Sequence, residues 1–430
     1  MKVPALHISI QKDFKIDVRK WICINLVLIA FFDSYPVYST IVPVRVFVYG
    51  LKFLNLYAFL MLLVKNSYRN YILAALIFPV WWAYYNEDSL LISIQLLYSG
   101  ILPVLTFALL KDEERFKVAQ WYIKFFIFLL TVGLPIYLLI NLVDIPPLFS
   151  VQRGEAGKGR VYDNYFFFYW TRVGVKSRFS SVFDEPGVIG TIIPVILFYY
   201  RRMLSRFEFW ILMISGILSL SLFFLIVFLP VIYFSNTRLL KTNQLILRLA
   251  FSTVFICMSY ITFVLAARST KNDPILSLRV YNRFEWQNDW IVGVVNNRDT
   301  RIQGFESMYQ GFLSESDTDL YTGRGKDYML KVYGGSTLSY RVFVLERGIL
   351  ILFYLIFLFA YFHPWRKYFI FSCISMLILM LVFFQRPMLY SLNYFLLVYV
   401  GLKLFEMQAQ FNSKKLDSDN EDSTHYSISQ

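Results

Sequence analysis

Long, predominantly apolar runs recur along this chain and constrain its fold more than any other feature. Examples are residues 21–32, 46–64, 121–143 and 368–384. A helix needs about 20 predominantly apolar residues to cross the hydrocarbon core of a bilayer. With 57% hydrophobic and 17% charged residues, the chain carries more apolar surface than a soluble fold can cover. The sequence therefore predicts an all-α polytopic membrane protein.

The apolar runs divide into about twelve predicted transmembrane helices. The stretch 207–234 is long for one span and short for two, and we interpret it as two short spans joined by a tight turn near 219–221. The other predicted spans are 21–33, 44–64, 71–84, 89–110, 121–143, 187–200, 249–266, 342–361, 368–385 and 388–404.

Basic residues between these spans set the predicted orientation. Positively charged connectors stay on the cytoplasmic side, so the basic N-terminal tail 1–20 and the C-terminus are both predicted to be cytoplasmic. The membrane domain 21–405 then presents two large extracytoplasmic loops, 144–186 and 267–340. The tail 406–430 is rich in polar and charged residues and is predicted to be disordered.

Composition also argues against several classes of function. The net charge of +13 is scattered in short clusters and forms no continuous stripe, which argues against nucleic acid. The three cysteines lie within apolar runs, and the three histidines are far apart in the two tails and one connector. We therefore predict no metal, no cofactor and no histidine general base.

The first predicted outer loop ends in a charged helix start. Asp184 and Glu185 precede Pro186 and Gly187. Acidic residues suit the positive N-terminus of a helix, and proline at its first position has no amide to lose. A capped helix start is thus the structural alternative to a functional site. Ahead of it, the aromatic cluster 165–170 is interpreted as an interfacial anchor, with sugar stacking as the alternative.

The second predicted outer loop ends with glycines beside basic residues, at Gly323-Arg324-Gly325, followed by Tyr340-Arg341. In such a segment, backbone amides and guanidinium groups can approach a phosphate together. A plain flexible loop is the alternative.

The helix predicted after this loop carries two opposite charges, Glu346 and Arg347, roughly 8 Å below its outer end at ~1.5 Å per residue. Ionisable residues at that depth usually face a polar cavity. A structural ion pair with neighbouring helices is the alternative. Arg386, in a short outward turn, is expected to close the same cavity from a third side.

This arrangement resembles Wzy-type O-antigen and capsule polymerases. The resemblance lies in the segment 183–190 entering a helix, the loop ending in 323–325, and the Glu-Arg-Gly sequence 346–348. These polymerases share a membrane-helix plan with O-antigen ligases and other lipid-linked glycosyltransferases. The resemblance covers most of residues 20–405 in layout, although its sharp motifs cover about forty residues.

Two further comparisons with that family concern spacing and a missing histidine. One pattern of the family separates an arginine from a glycine by ten residues, which Arg324 and Gly335 match, whereas Arg178 and Gly190 are one residue too far apart. The related ligases have a histidine near the end of the second loop, where this chain has Gly-Ser-Thr at 335–337. The resemblance therefore favours a polymerase and leaves the general base open.

The resemblance implies roles for particular residues. Arginines bind a diphosphate bidentately and stabilise the charge that develops on it as it leaves. We assign Arg178, Arg324 and Arg341 to the diphosphate, and Glu185, with Asp184 as the second candidate, to activation of the acceptor hydroxyl. Further contacts to the substrate are expected from Arg172, Arg298, Arg301, Tyr340 and Arg347.

The implied reaction is polymerisation of undecaprenyl-diphosphate-linked oligosaccharide repeat units at the outer face of the bacterial inner membrane. Donor and acceptor are both lipid-linked glycans, and a membrane protein that regulates chain length is an expected partner. Two alternatives stay open at this point. One is an O-antigen ligase, and the other is a flippase of the same lipid-linked units.

Overall fold

The computed structural model describes most of the chain between Asp17 and Met407. The described residues are 17–33, 41–64, 66–85, 97–143, 145–153, 160–173, 178–183, 186–221, 260–273, 281–294, 304–314, 318–325, 328–333, 339–365, 368–387 and 391–407, with isolated residues at 94, 223–224, 227–228, 231, 254, 258 and 277.

The fold is mostly helical, as predicted, and short strands occur in both large loops. The elements of the first half are α1 (Val18–Asp33), α2 (Val42–Val64), α3 (Tyr68–Tyr85), α4 (Leu102–Leu109), α5 (Asp112–Leu142), β1 (Phe149–Arg153), β2 (Arg160–Tyr165), β3 (Tyr169–Arg172), α6 (Pro186–Tyr200) and α7 (Arg206–Leu218). Those of the second half are β4 (Phe284–Gln287), β5 (Trp290–Val294), α8 (Phe305–Ser314), α9 (Thr318–Thr322), α10 (Tyr328–Tyr333), α11 (Tyr340–Arg347), α12 (Ile349–Phe362), α13 (Phe369–Gln385) and α14 (392–407).

Two of the described helices, α2 with 23 residues and α5 with 31, are long and apolar enough to cross a bilayer. The pair α11 and α12 passes the same criterion together but is bent by 114°. Helices α6, α7 and α13 lie at predicted spans, with 15, 13 and 17 residues. The structure thus accords with a membrane protein, and the number of twelve spans stays a prediction.

The predicted span 342–361 is interrupted, because the helix breaks at Gly348. This glycine has φ +79° and ψ 166°, a conformation that is essentially restricted to glycine. A side chain at this position would overlap the carbonyl of Tyr321 in α9. The elbow between α11 and α12 therefore depends on a close backbone approach from the second loop.

The first loop folds into an antiparallel sheet with the order β1-β2-β3. Tyr165, Tyr169 and Trp170 are buried in the core, whereas Phe166–Phe168 form an exposed turn between β2 and β3. The sheet packs on the end of α5, where the Tyr137 ring lies 6.2 Å from that of Tyr169. Only the exposed half of the aromatic cluster, Phe166–Phe168, is therefore available as an interfacial anchor, because the other half is part of the core.

The chain turns after α7 at the predicted place. Leu220 has φ +46°, and the ring of Phe224 lies against Gly216 of α7. In a continuous helix, residues eight positions apart would be about 12 Å apart. The contact therefore shows that the chain folds back near 219–221, while most of the stretch that follows lies outside the described residues.

The second loop combines a hairpin with three short helices. Strands β4 and β5 pair antiparallel, and Arg268 forms a 2.8 Å ion pair with Asp289 in the turn between them. Helices α8, α9 and α10 pack around α11. The segment 323–325 is hydrogen-bonded to α11, which argues against a plain flexible loop at these three residues.

Candidate functional site

The starts of α6 and α11, which follow the two large loops, meet at the end of α13. Arg386, just after α13, is 2% exposed, and a Cβ built on Gly187 would lie 3.0 Å from its Nη2. On the other side, the ring of Phe384 lies 4.9 Å from that of Tyr340 in an edge-to-face contact. Arg386, which was predicted to close the cavity from a third side, thus lies beside the start of α6.

Arg341, in the first turn of α11, is ion-paired. Its Nη1 donates to Glu306 Oε2 of α8 at 2.5 Å, and its guanidinium lies 5.3 Å from the centre of the Tyr309 ring. Hydrogen bonds from the Gln310 side chain and from Arg341 lower the pKa of the Glu306 carboxyl. Glu306 is 59% exposed, so solvent or an anionic ligand has access to this pair.

The side chain of Arg324 lies between aromatic rings. Its guanidinium is 5.5 Å from the centre of the Phe312 ring and 5.4 Å from that of Tyr328, and Nη1 donates to the Tyr328 hydroxyl at 3.1 Å. The Asp319 carboxylate is 3.9 Å from Nε. Aromatic faces attract cations and fix the plane of a guanidinium. The cation is thus held in place with 18% of its side chain exposed.

The backbone of the Gly-Arg-Gly segment caps the broken helix. Arg324 N donates to Leu345 O at 2.9 Å, and Gly325 N donates to Glu346 O at 3.1 Å. These carbonyls belong to the last turn of α11, which has no further helical turn to supply donors. Two amides that the sequence suggested for phosphate binding are therefore already used within the protein. Gly323, with φ +82°, allows the approach because a side chain there would overlap the backbone of Glu346 and Arg347.

The charged pair at the end of α11 lies at the elbow. Arg347 is 3% exposed and occupies the last turn before Gly348, where a cation suits the negative end of the helix. The Glu346 side chain accepts a long hydrogen bond of 3.4 Å from Met329 N of α10. Glu346 therefore joins α11 to the second loop, and the polar cavity predicted around this charged pair stays a prediction.

Arg178 lies at a different helix end. Its Nε donates to Ser219 O at 3.0 Å and its Nη2 to Leu220 O at 3.2 Å, just after α7. The adjacent Phe179 N donates to Leu218 O at 3.0 Å. Basic side chains commonly bind the last carbonyls of a helix. The described contacts thus give Arg178 a capping role, and its predicted contact with a diphosphate remains untested.

The other predicted site residues separate into two groups. Asp184, Glu185, Arg298 and Arg301 lie outside the described residues. Arg172 is exposed at the end of β3, paired in register with Tyr162. The structure therefore brings together Arg324, Tyr340, Arg341 and Arg347 around α11 and places Arg178 and Arg172 on the first loop.

Sequence reasoning missed the residues that surround these arginines. In α8, Phe305, Tyr309 and Phe312 are buried at helical spacing, while Glu306 lies on the exposed side. That amphipathic spacing was present in the sequence and would have indicated a helix packed against the loop. The pairing of Glu306 with Arg341 joins residues 35 positions apart, which periodicity does not show.

Searches of family models, curated proteins and solved structures found no match to this chain. Within the described part of the chain, no group of three or more His, Cys, Asp or Glu side chains is arranged to hold a metal ion. The chemistry that these residues offer is that of guanidinium groups beside aromatic rings and an exposed, ion-paired carboxylate.

Proposed function

We propose that the protein polymerises undecaprenyl-diphosphate-linked oligosaccharide repeat units at the outer face of the bacterial inner membrane. In each cycle, the bond between the donor glycan's anomeric carbon and its diphosphate breaks, and that carbon bonds to a hydroxyl of the acceptor's terminal sugar. The hydroxyl proton leaves to a base, for which Glu185 is the candidate and Asp184 the second. The lipid diphosphate is the leaving group.

The observation that carries this proposal is the meeting of the two loop-following helices at Arg386. A lipid-linked diphosphate enters from the bilayer, so its cationic site has to lie where helices end and loops begin. Gly187 and Tyr340 both lie at such positions and contact Arg386 and its neighbour Phe384. This arrangement favours convergence of the charged residues of both loops on one substrate.

Arg341 is the residue best suited to the diphosphate. It is held over the Tyr309 ring and bound to Glu306, an exposed carboxylate that also accepts a hydrogen bond from the exposed Gln310 side chain. Diphosphate oxygens make the same charge-assisted bonds as a carboxylate. A donor would therefore displace Glu306 without leaving the guanidinium uncompensated, and Arg324 would add a second cation from the Gly-Arg-Gly segment.

The experiment is polymer formation by purified protein supplied with lipid-linked repeat units alone. A ladder of products supports the polymerase. No covalent change contradicts it and fits a flippase, and a requirement for a lipid A core acceptor fits a ligase.

Three variants separate catalysis from folding. Arg341→Ala is expected to abolish the ladder. Glu306→Gln breaks the same ion pair but keeps the cation, so it should retain the ladder; equal loss in both variants would show that the pair is only structural. Arg268→Ala removes an arginine of another exposed ion pair, with Asp289, and should leave the ladder unchanged.

A further inference from the structure

A cavity of about 250 Å³ opens at the end of the helical domain where α5 begins. Its lining comes from the ends of four helices, α1 to α4, and from the connections between them and to α5. Arg19, Asn66, Ser67 and Lys111 are among the lining residues. The sheet of the first loop packs at the other end of α5, whose 31 residues span about 46 Å. The cavity is therefore remote from the site proposed for glycan transfer.

The charged residues that line this cavity are both cations. Arg19 and Lys111 lie in its wall, and no carboxylate is among the described residues that line it. Glu114, outside the lining, accepts from the Arg19 guanidinium Nη1 at 2.6 Å and from the backbone amide of Lys111 at 2.9 Å. Because the Arg19 side chain is 47% exposed and a guanidinium has five N–H donors, donors remain for an anion.

The polar floor of the cavity is rigidly built. Asn66 Nδ2 donates to Leu109 O at 2.5 Å, and Asn70 Nδ2 donates to Asn66 Oδ1 at 2.6 Å. Behind them, Arg115 is 1% exposed and donates to Asn70 Oδ1 at 2.8 Å, with Asp112 as its ion-pair partner at 2.7 Å. The floor is thus ordered before any ligand binds, and the volume exceeds that of several waters at about 30 Å³ each.

The side of the cavity formed by α2 is apolar. Val64, which lines it, is 79% exposed, and Leu63 and Met61 in the same turn of α2 are 43% and 41% exposed. Helix α2 is one of the helices with the length and composition to cross a bilayer. An anionic group in the cavity would therefore lie beside the hydrocarbon of the bilayer. A phospholipid headgroup has that environment, whereas a dissolved ion is surrounded by water.

We infer that this cavity binds the phosphate headgroup of an anionic phospholipid, with Arg19 and Lys111 as its cationic contacts and the acyl chains along the end of α2. Basic pockets between membrane helices are a known mode of headgroup binding. The inference depends on α2 lying in a membrane and does not depend on the proposed glycan transfer.

The test is lipid retention by purified protein, measured by native mass spectrometry after incubation with equal amounts of phosphatidylglycerol and phosphatidylethanolamine. Preferential retention of phosphatidylglycerol is expected in the wild type. The double substitution Arg19→Gln and Lys111→Gln should weaken that binding roughly thirtyfold, because each cation near an anionic lipid contributes about 1 kcal/mol. Lys124→Gln removes a half-exposed lysine that is paired with Glu208 elsewhere and should keep the preference.

Two further measurements make the inference falsifiable even if the double variant folds poorly. Ser67→Tyr fills the cavity without changing charge and should also abolish the preference. Inorganic phosphate and glycerol 3-phosphate are the competitors. Failure of both at millimolar concentration supports a lipid, whereas displacement by inorganic phosphate would overturn the lipid and identify a site for the free anion. Equal retention of both lipids by the wild type would overturn the inference altogether.

Discussion

A Cβ at Gly348 would lie 2.1 Å from the carbonyl oxygen of Tyr321, so that any side chain at position 348 would overlap that carbonyl. This contact turns what would be one apolar helix into α11 and α12, bent by 114°. The bend orients the first turn of α11, and with it Tyr340 and Arg341, relative to α13. A backbone contact in the second loop thus positions two residues of the proposed site.

Gly348→Ala is therefore expected to destabilise the protein strongly. The backbone conformation alone costs about 1–3 kcal/mol for a residue other than glycine, and the overlap with the Tyr321 carbonyl adds to it. The measurement is the apparent melting temperature in detergent together with the yield of monodisperse protein. Gly311→Ala is the matched control. Gly311 lies in α8, no atom of the described residues would lie within 4 Å of a Cβ there, and the substitution should be neutral or stabilising. Similar melting temperatures for both variants would contradict the proposed elbow.

Arg178→Ala is expected to lower stability as well as activity. The arginine donates to the carbonyls of Ser219 and Leu220, and hydrogen bonds from a charged group contribute about 1.5–3 kcal/mol. Thermal unfolding measures this loss directly. Arg206→Ala, at the opposite end of the same helix, removes a cation from the positive helix terminus and should be neutral or slightly stabilising. An Arg178→Ala protein with full stability but no polymerisation would instead favour a direct contact with the diphosphate.

The sequence predicted helix-forming segments well because apolar periodicity is a local property. The turn near 219–221 was also predicted from local length alone. In contrast, the elbow depends on a contact between Gly348 and Tyr321, 27 positions apart. The Gly-Arg-Gly segment was predicted to bind phosphate for the same reason. Its amides donate to the carbonyls of Leu345 and Glu346, which are distant in sequence and reach these amides only in the folded chain.

The ion pair between Glu306 and Arg341 is expected to weaken at low pH. The pKa of Glu306 is lowered by hydrogen bonds from Gln310 and Arg341, so its contribution to stability is complete above the ordinary glutamate pKa of about 4.3. It is lost as pH falls through the lowered pKa. The melting temperatures of wild type and Glu306→Gln should therefore differ at pH 6 and converge as the pH falls through the lowered pKa of Glu306. A difference that does not narrow as the pH falls would show that Glu306 acts through packing.

The orientation of the second loop is tested by labelling at Ser314, which is exposed at the end of α8. In a variant without native cysteines, Ser314→Cys should react with a membrane-impermeant maleimide added to intact cells, because residues 267–340 are predicted to lie outside. Ser67→Cys, in the cavity at the other end of the helical domain, should react only after permeabilisation. Labelling of Ser314→Cys only after permeabilisation would place Arg324 and Arg341 in the cytoplasm, where a reaction at the outer face of the membrane is impossible.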